Sequence, residues 1–129
     1  MKKTFAYAAL AATLLSGTAF AQEKTIKIGN LSDQSGLYAD ATGPGSTVAA
    51  KLAVEDSGLL AKGWKIEVIA GDHQNKADIG TNITRQWFDV EKVDLIVDTP
   101  NSGVALAVSQ VTKEKNKVFL NSGAATSDL

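Results

Sequence analysis

Carboxylate, hydroxyl and amide side chains are concentrated in residues 98–103, Asp-Thr-Pro-Asn-Ser-Gly, directly after a short apolar run. Proline lacks the N–H that a strand ladder needs, and Asp and Asn favour turns, so this segment predicts a tight turn. Ser102 is a good N-cap, and valines at positions 104, 108 and 111 follow at helical spacing. A helix start adds free N–H groups and a positive dipole end, which together bind carboxylates or phosphates. We therefore expect residues 98–103 to form the floor of a ligand site.

Catalytic chemistry has weaker support, because an enzyme needs a nucleophile with a base, a metal cluster or a cofactor loop. His73 is the only histidine, and the chain contains no Gly-x-Ser-x-Gly motif. Such a loop histidine is more often solvated or hydrogen-bonded than catalytic, and it lacks a partner at metal-site spacing. Gly43 and Gly45 form no dinucleotide fingerprint, because Val48 occupies the third glycine position. We expect no cofactor and no metal. An exported α/β enzyme such as a hydrolase, using a serine near His73, stays open as the alternative.

The amino-terminal residues have the features of a secretory signal peptide. A positive Met-Lys-Lys start precedes an apolar run over residues 5–15, and Ala19-Phe20-Ala21 is an A-x-A cleavage pattern. The run is shorter than the roughly 20 apolar residues that span a bilayer. We expect cleavage between Ala21 and Gln22, which leaves residues 22–129 as the mature part.

The charge of the mature part argues against polyanionic partners. Lys2 and Lys3 are the only charged residues of the signal peptide, so residues 22–129 carry 11 basic and 14 acidic side chains, net −3. This balance gives no support for nucleic acid or an anionic membrane surface as a partner. The chain also has no cysteine, so packing must supply its stability.

Hydrophobic periodicity predicts a β-α-β-α-β-α-β order over the mature part. The predicted strands cover residues 25–31, 64–70, 93–97 and 117–121, and the predicted helices start near residues 44, 78 and 102. The expected core positions of the first two helices are Val48, Ala49, Leu52 and Ala53, then Ile79, Ile83, Trp87 or Phe88, and Val90. This order predicts an α/β fold with a parallel sheet, in which ligands bind beyond the carboxyl ends of the strands.

The loop over residues 32–43 is long for a simple connection, which favours a function. Tyr38 lies in this loop, which has glycines on both sides of it. Two interpretations stay open: Tyr38 is a loop aromatic without a role, or it forms a lid over the crevice.

Four segments carry a family resemblance: Ile-Gly-Asn-Leu-Ser-Asp-Gln-Ser-Gly-Leu-Tyr over 28–38, Asp-His-Gln-Asn-Lys-Ala-Asp over 72–78, Asn-Ser-Gly-Val over 101–104, and Asn-Ser-Gly-Ala-Ala-Thr over 121–126. They resemble the periplasmic substrate-binding proteins of branched-chain-amino-acid-type ABC transporters, the Leu/Ile/Val-binding-like type I group. Within it, they are most similar to members associated with aromatic or other small organic acids. The resemblance implies a Rossmann-like lobe of a two-lobed protein about three times this long, with residues 22–129 as a partial N-terminal lobe.

The resemblance also implies which residues bind the ligand. Ser102, flanked by Asn101 and Gly103, would hold a ligand carboxylate through its hydroxyl and backbone N–H. Ala124 would supply a carbonyl and Thr126 a hydroxyl, while Tyr38 would pack on the ligand. Some members tie their second and third loops with a disulfide, which this cysteine-free chain lacks.

The function implied by the resemblance is non-catalytic solute capture in the periplasm. The implied partners are a small carboxylate and the ABC permease subunits, with a monomer expected for the full-length protein. We further expect the fourth-strand side of the sheet to leave apolar surface exposed in residues 22–129, so that this part alone is a poor receptor.

Overall fold

The computed structural model describes residues 23–129, and the predicted signal peptide with its cleavage point lies outside this range. The elements are β1 (Thr25–Ser32), α1 (Ala39–Thr42), α2 (Pro44–Asp56), a 3₁₀ turn (Leu60–Lys62), β2 (Lys65–Asp72), α3 (Ala77–Asp89), β3 (Leu95–Asp98), α4 (Ser102–Glu114) and β4 (Val118–Asn121). The predicted alternation of strands and helices is confirmed, with the short α1 added inside the long first loop.

The four strands form one parallel sheet in the order β2-β1-β3-β4. In its register Leu31 pairs with Asp98, and Asp98 pairs in turn with Asn121. Because all strands run the same way, the segments that follow them meet at the carboxyl edge of the sheet. The predicted α/β class with a parallel sheet is therefore confirmed.

Helices α3 and α4 pack on one face of the sheet and enclose the core. Its buried members are Leu31, Trp87, Phe88, Val93, Ile96, Val104 and Val108. Both aromatic candidates of α3 are buried, each with 5% of its surface exposed. Gly29 of β1 makes room for the indole, since a Cβ there would lie 2.4 Å from the Trp87 ring. Because Gly29 has no side chain, the large Trp87 ring can reach the backbone of the sheet at this position.

The predicted core face of α2 is wrong. Val48 and Leu52 are 55% and 51% exposed, whereas Ala50 and Val54 lie over the sheet. The face of residues 46, 50 and 54 meets the sheet instead, because positions four apart share one face of a helix. On this face Ser46 Oγ accepts from the Asn30 amide of β1 at 2.9 Å.

A second packing expectation also fails at the end of α3. Val90 is 70% exposed, because the helix ends at Asp89 and Val90 is its C-cap.

Among residues 23–129 no helix is both long and apolar enough to cross a membrane.

The face of the sheet that α2 covers stays open over β3 and β4. Val118 and Leu120 of β4 are 53% and 56% exposed. An apolar groove of about 460 Å³ runs between α2 and the sheet, and Leu95 and Val97 contribute to its wall. The expected exposure of apolar surface beside the fourth strand is confirmed for the described residues.

Candidate ligand-binding site

A cavity of about 420 Å³ lies at the carboxyl edge of the sheet, within the usual size range of small-molecule sites. Its lining residues are Tyr38, Thr42, Pro100, Asn101, Ser102, Gly103, Gly123 and Ala125. Four of the predicted ligand residues are among them. The other two, Ala124 and Thr126, belong to the same turn as Gly123 and Ala125 but do not line the cavity. No lining residue is charged, so a ligand here would meet hydroxyl and N–H groups.

A larger groove of about 840 Å³ lies at the opposite edge of the sheet, where the strands begin. Trp64 and Leu60 contribute apolar surface, and lysines alternate with carboxylates around them. Ligands of parallel α/β sheets bind beyond the carboxyl ends of the strands. We therefore assign the candidate site to the smaller cavity, which is also lined by four of the six residues predicted from the sequence.

The helix start at the floor of the cavity is capped by Asn101 rather than by Ser102, which corrects the predicted N-cap. Asn101 Oδ1 accepts from the Val104 N–H at 2.9 Å, and Ser102 is the first residue of α4. Ser102 Oγ accepts from the Ala125 N–H at 3.1 Å. Within residues 23–129 the Ser102 hydroxyl hydrogen has no acceptor, so it remains available to a ligand.

The second and third loops are tied by an amide pair. Asn101 Nδ2 donates to Asn75 Oδ1, while the Asn75 N–H donates to His73 Nδ1 at 2.9 Å. Asn75 has a left-handed backbone with φ of 57°, which asparagine tolerates. These contacts hold the start of α4 against the end of β2 without any covalent bond.

His73 is fully buried, so it is the hydrogen-bonded residue that the sequence favoured but not a solvated one. Nδ1 is an acceptor, which leaves the proton on Nε2, and Nε2 has no hydrogen-bond partner among the described residues. Burial lowers the pKa of His73, against the opposing effect of the negative charges of Asp33, Asp72 and Asp98. A serine nucleophile would need a hydrogen bond to this ring. The geometry therefore does not favour the hydrolase alternative.

Two carboxylates hold the loop that carries Tyr38. Asp33 is fully buried and accepts from the N–H of Gly36 at 2.8 Å and of Tyr38 at 3.0 Å. Asp72 accepts from the N–H of Gln34 at 2.9 Å and from Ser35 Oγ at 2.5 Å.

Asp72 is charged at neutral pH in this arrangement. Its partial burial raises its pKa, but the hydrogen bonds from the Ser35 hydroxyl and from two backbone N–H groups, with His73 nearby, outweigh burial and lower the pKa. The lowered pKa keeps the Asp72 carboxylate ionised, and hydrogen bonds from Gln34 and Ser35 to an ionised carboxylate are stronger than those to a neutral group. Tyr38 is thereby fixed at the rim of the cavity with 43% of its surface exposed.

The sequence placed Asp98 in the floor of the site but did not reveal its partners, and it assigned no role to Asn121; neither side chain lines the cavity. Asp98 is 8% exposed and accepts from the hydroxyls of Ser46 and Ser122, the latter at 2.8 Å. Asn121 bridges the ends of β3 and β4 through its amide. The available signal was their position at strand ends, which does not reveal the partner of either side chain. Among residues 23–129 no group of His, Asp and Glu side chains is placed to hold a metal ion.

Comparison with known proteins shows which family the chain resembles in sequence and in structure. The sequence model described as periplasmic binding protein matches residues 25–129. A crystal structure of a periplasmic binding protein from Burkholderia mallei is 47% identical, with a TM-score of 0.75, over 81% of this chain and 28% of that one. None of the curated proteins compared with the chain matches it significantly.

Two further solved structures share the fold and contain ligands. A branched-chain amino acid transporter substrate-binding protein from Streptococcus pneumoniae, in complex with isoleucine, is 28% identical with a TM-score of 0.72, over 81% of this chain and 30% of that one. An ABC transporter solute-binding protein from Rhodopseudomonas palustris, in complex with 3,4-dihydroxybenzoic acid, is 26% identical with a TM-score of 0.71, over 81% and 29%. The chain thus spans under a third of the length of each of these three structures, at the amino-terminal part of the fold.

Proposed function

Because the chain belongs to the periplasmic binding protein family, we propose that it captures a small carboxylate outside the cytoplasm and presents it to the permease of an ABC importer. In this proposal residues 22–129 are the first part of the N-terminal lobe of a two-lobed, monomeric receptor. Closure of two lobes around the ligand is the hinge motion of such proteins. The role is binding, and no chemical step is assigned to the chain.

The observation that carries the proposal is the environment of Ser102. Its hydroxyl accepts from Ala125 and keeps its own hydrogen free of any acceptor among the described residues, at the first turn of α4 where backbone N–H groups lack helical acceptors. The floor therefore offers convergent donors and the positive end of a helix dipole to an anion. A carboxylate suits this floor, because its two oxygens accept several hydrogen bonds at once.

The ligands of the related structures support a small carboxylate. Isoleucine and 3,4-dihydroxybenzoic acid, bound by two of those proteins, differ in shape and in their amine, but both carry a carboxylate. The lining of the described cavity contains donors and Tyr38 but no anionic group. We therefore propose that these residues recognise the acid group, together with Ala124 and Thr126 from the adjacent turn, and leave selection of the rest of the ligand to other parts of a receptor.

Titration of the chain with isoleucine and, separately, with 3,4-dihydroxybenzoate tests this function. The cavity opens to solvent at Tyr38, Gly103 and Ala125, so a ligand is buried less than the 70–90% usual for such sites, and we expect a Kd no tighter than about 1 mM. The amide NMR signals of Ser102, Gly103 and Ala125 should shift with at least one ligand. In a full-length receptor that carries the second lobe, Ser102→Ala should weaken that binding about tenfold to hundredfold, the effect of a lost hydrogen bond to a charged group.

Ser109→Ala is the matched control, because Ser109 lies on the same helix and its hydroxyl donates to the Leu106 carbonyl at 2.7 Å. Equal affinities of the Ser102 and Ser109 variants would contradict the assigned floor. Recovery of each ligand unchanged supports a receptor, whereas formation of a product would support the enzyme alternative.

A further inference from the structure

The side-chain amide of Asn121 makes four hydrogen bonds at the carboxyl edge of the sheet. Nδ2 donates to the carbonyls of Asp98 at 2.9 Å and Thr99 at 2.7 Å. Oδ1 accepts from the N–H of Gly123 at 3.3 Å and of Ala124 at 2.8 Å. An asparagine amide has two N–H donors and one oxygen with two lone pairs, so its full capacity is used. The residue is nevertheless absent from the lining of the cavity.

The carbonyls that Asn121 binds belong to two residues in an unfavourable backbone conformation. Asp98 and Thr99 have φ of 78° and 63°, and the left-handed region is a genuine outlier for a β-branched threonine. Thr99 is held there from its other side as well, because its N–H and its hydroxyl both donate to the Leu31 carbonyl, at 2.8 and 3.1 Å. Such conformations persist only where surrounding contacts enforce them, and they cluster at functional sites.

Asn121 connects the two segments that build the floor of the cavity. The first, the β3 turn, covers residues 98–102, and the second, the β4 turn, covers residues 121–125. Besides the strand pairing of Asp98 with Asn121, their other contacts among the described residues are few: Ser122 Oγ donates to Asp98 Oδ1, and the Ala125 N–H donates to Ser102 Oγ. At Gly123 a Cβ would lie 3.3 Å from Pro100 Cβ, so the two turns also approach closely in their middle.

We propose that Asn121 is a positioning residue that sets the register between the β3 turn and the β4 turn, and thereby places the Ser102 hydroxyl against the β4 turn. The functional consequence rests on the proposed carboxylate site, while the structural consequence stands alone. Asn121 acts through the backbone of both turns and does not line the cavity. Its loss separates the turns at the point where Ser102 must face Ala125.

Asn121→Asp tests the proposal in the full chain. The aspartate keeps oxygen acceptors for Gly123 and Ala124 but loses both donors and sets a negative charge against the carbonyls of Asp98 and Thr99. The readout is solvent exchange of the Ala125 amide, measured by NMR magnetisation transfer, because Asn121 does not make that hydrogen bond. We expect Ala125 to exchange about threefold to tenfold faster, as for the loss of one neutral hydrogen bond, with Gly123 and Ala124 unchanged or slower.

Asn116→Asp is the matched control, since Asn116 is an exposed asparagine in the turn between α4 and β4 with φ of 51°. It should leave Ala125 exchange as in the parent. Unchanged Ala125 exchange in a folded Asn121→Asp protein would overturn the proposal. If the amides of β1 and β3 show that Asn121→Asp is unfolded, Asn121→Thr avoids the charge, and its short hydroxyl cannot reach both turns. The same acceleration at Ala125 is then expected, and its absence refutes the proposal.

Titration of these variants with 3,4-dihydroxybenzoate separates the positioning role of Asn121 from the proposed carboxylate site. Faster Ala125 exchange together with weaker binding supports both the positioning role and the carboxylate site. Faster exchange in proteins that never bind, parent included, supports the positioning role and counts against the proposed function.

Discussion

Replacing Asn101 by alanine removes two contacts with one change, and the structure predicts the cost of each. Asn101 Oδ1 caps α4 through the Val104 N–H at 2.9 Å, and Nδ2 donates to Asn75 Oδ1. Loss of a side-chain cap costs about 1 kcal/mol, and loss of a neutral hydrogen bond about another 1 kcal/mol. We expect Asn101→Ala to lower the free energy of unfolding by about 2 kcal/mol, or the Tm by roughly 10 °C for a domain of this size.

Asn101→Asp separates the two contacts. Aspartate caps a helix as well as asparagine does, and its charge suits the positive end of the dipole. It has no donor for Asn75, however, and it brings a negative charge to the Asn75 amide oxygen. We therefore expect Asn101→Asp to lose about 1 kcal/mol, between the parent and the alanine variant. Asn75→Ala, which leaves the cap intact, should lose a similar amount.

Urea denaturation followed by tryptophan fluorescence measures all four proteins, because Trp87 is 5% exposed in the core. The m-values should agree, so that midpoints report stability alone. Equal stability of Asn101→Ala and the parent would refute the reasoning. Equal losses in Asn101→Ala and Asn101→Asp would show that the tie to Asn75, and not the cap, supplies the stabilisation.

Two further predictions concern pH and processing. Burial lowers the folded-state pKa of His73 below the 6.5 of an unperturbed histidine, so the unfolded chain binds the proton more readily than the folded chain. The free energy of unfolding should therefore be constant above about pH 6.5 and fall as the pH decreases from there toward the lowered pKa. Urea midpoints at pH 7.5, 6.5 and 5.5 should show this slope, and His73→Gln should flatten it; an identical slope in the variant would contradict the assignment. The A-x-A pattern at residues 19–21 predicts that the exported product begins at Gln22, which its intact mass would reveal, and an uncut cytoplasmic protein would contradict it.

Local patterns in the sequence were sufficient for the architecture. The spacing of apolar residues depends only on the period of a strand or a helix, so the order of elements and the β-α alternation could be read from residue types alone. That alternation requires a parallel sheet, and a parallel sheet brings the polar segments after its strands to one edge. A cavity lined by Ser102 and Tyr38 lies at this edge, where the sequence predicted a ligand site; ligand binding there stays a prediction.

Contacts between distant residues were decided only by the tertiary structure. The face that α2 turns toward the sheet includes Ser46, whose partner Asn30 lies 16 residues away, and no periodicity within the helix encodes that partner. The cap of α4 is Asn101 and not the predicted Ser102, and Asn75 of another loop binds the same side-chain amide. Both residues are good caps by type, so residue type alone could not choose between them.

The same limit applies to His73 and Asn121. As residue types they suit exposed loops and strand ends, yet His73 is fully buried, and Asn121 binds backbone groups of residues 98 and 99, more than 20 positions away. A sequence records which hydrogen-bonding groups a side chain has, and local propensity acts over only a few neighbours. Which groups satisfy that side chain is set when the strands align and their ends converge, because a buried polar group must find its partners among whatever the fold brings within about 3 Å.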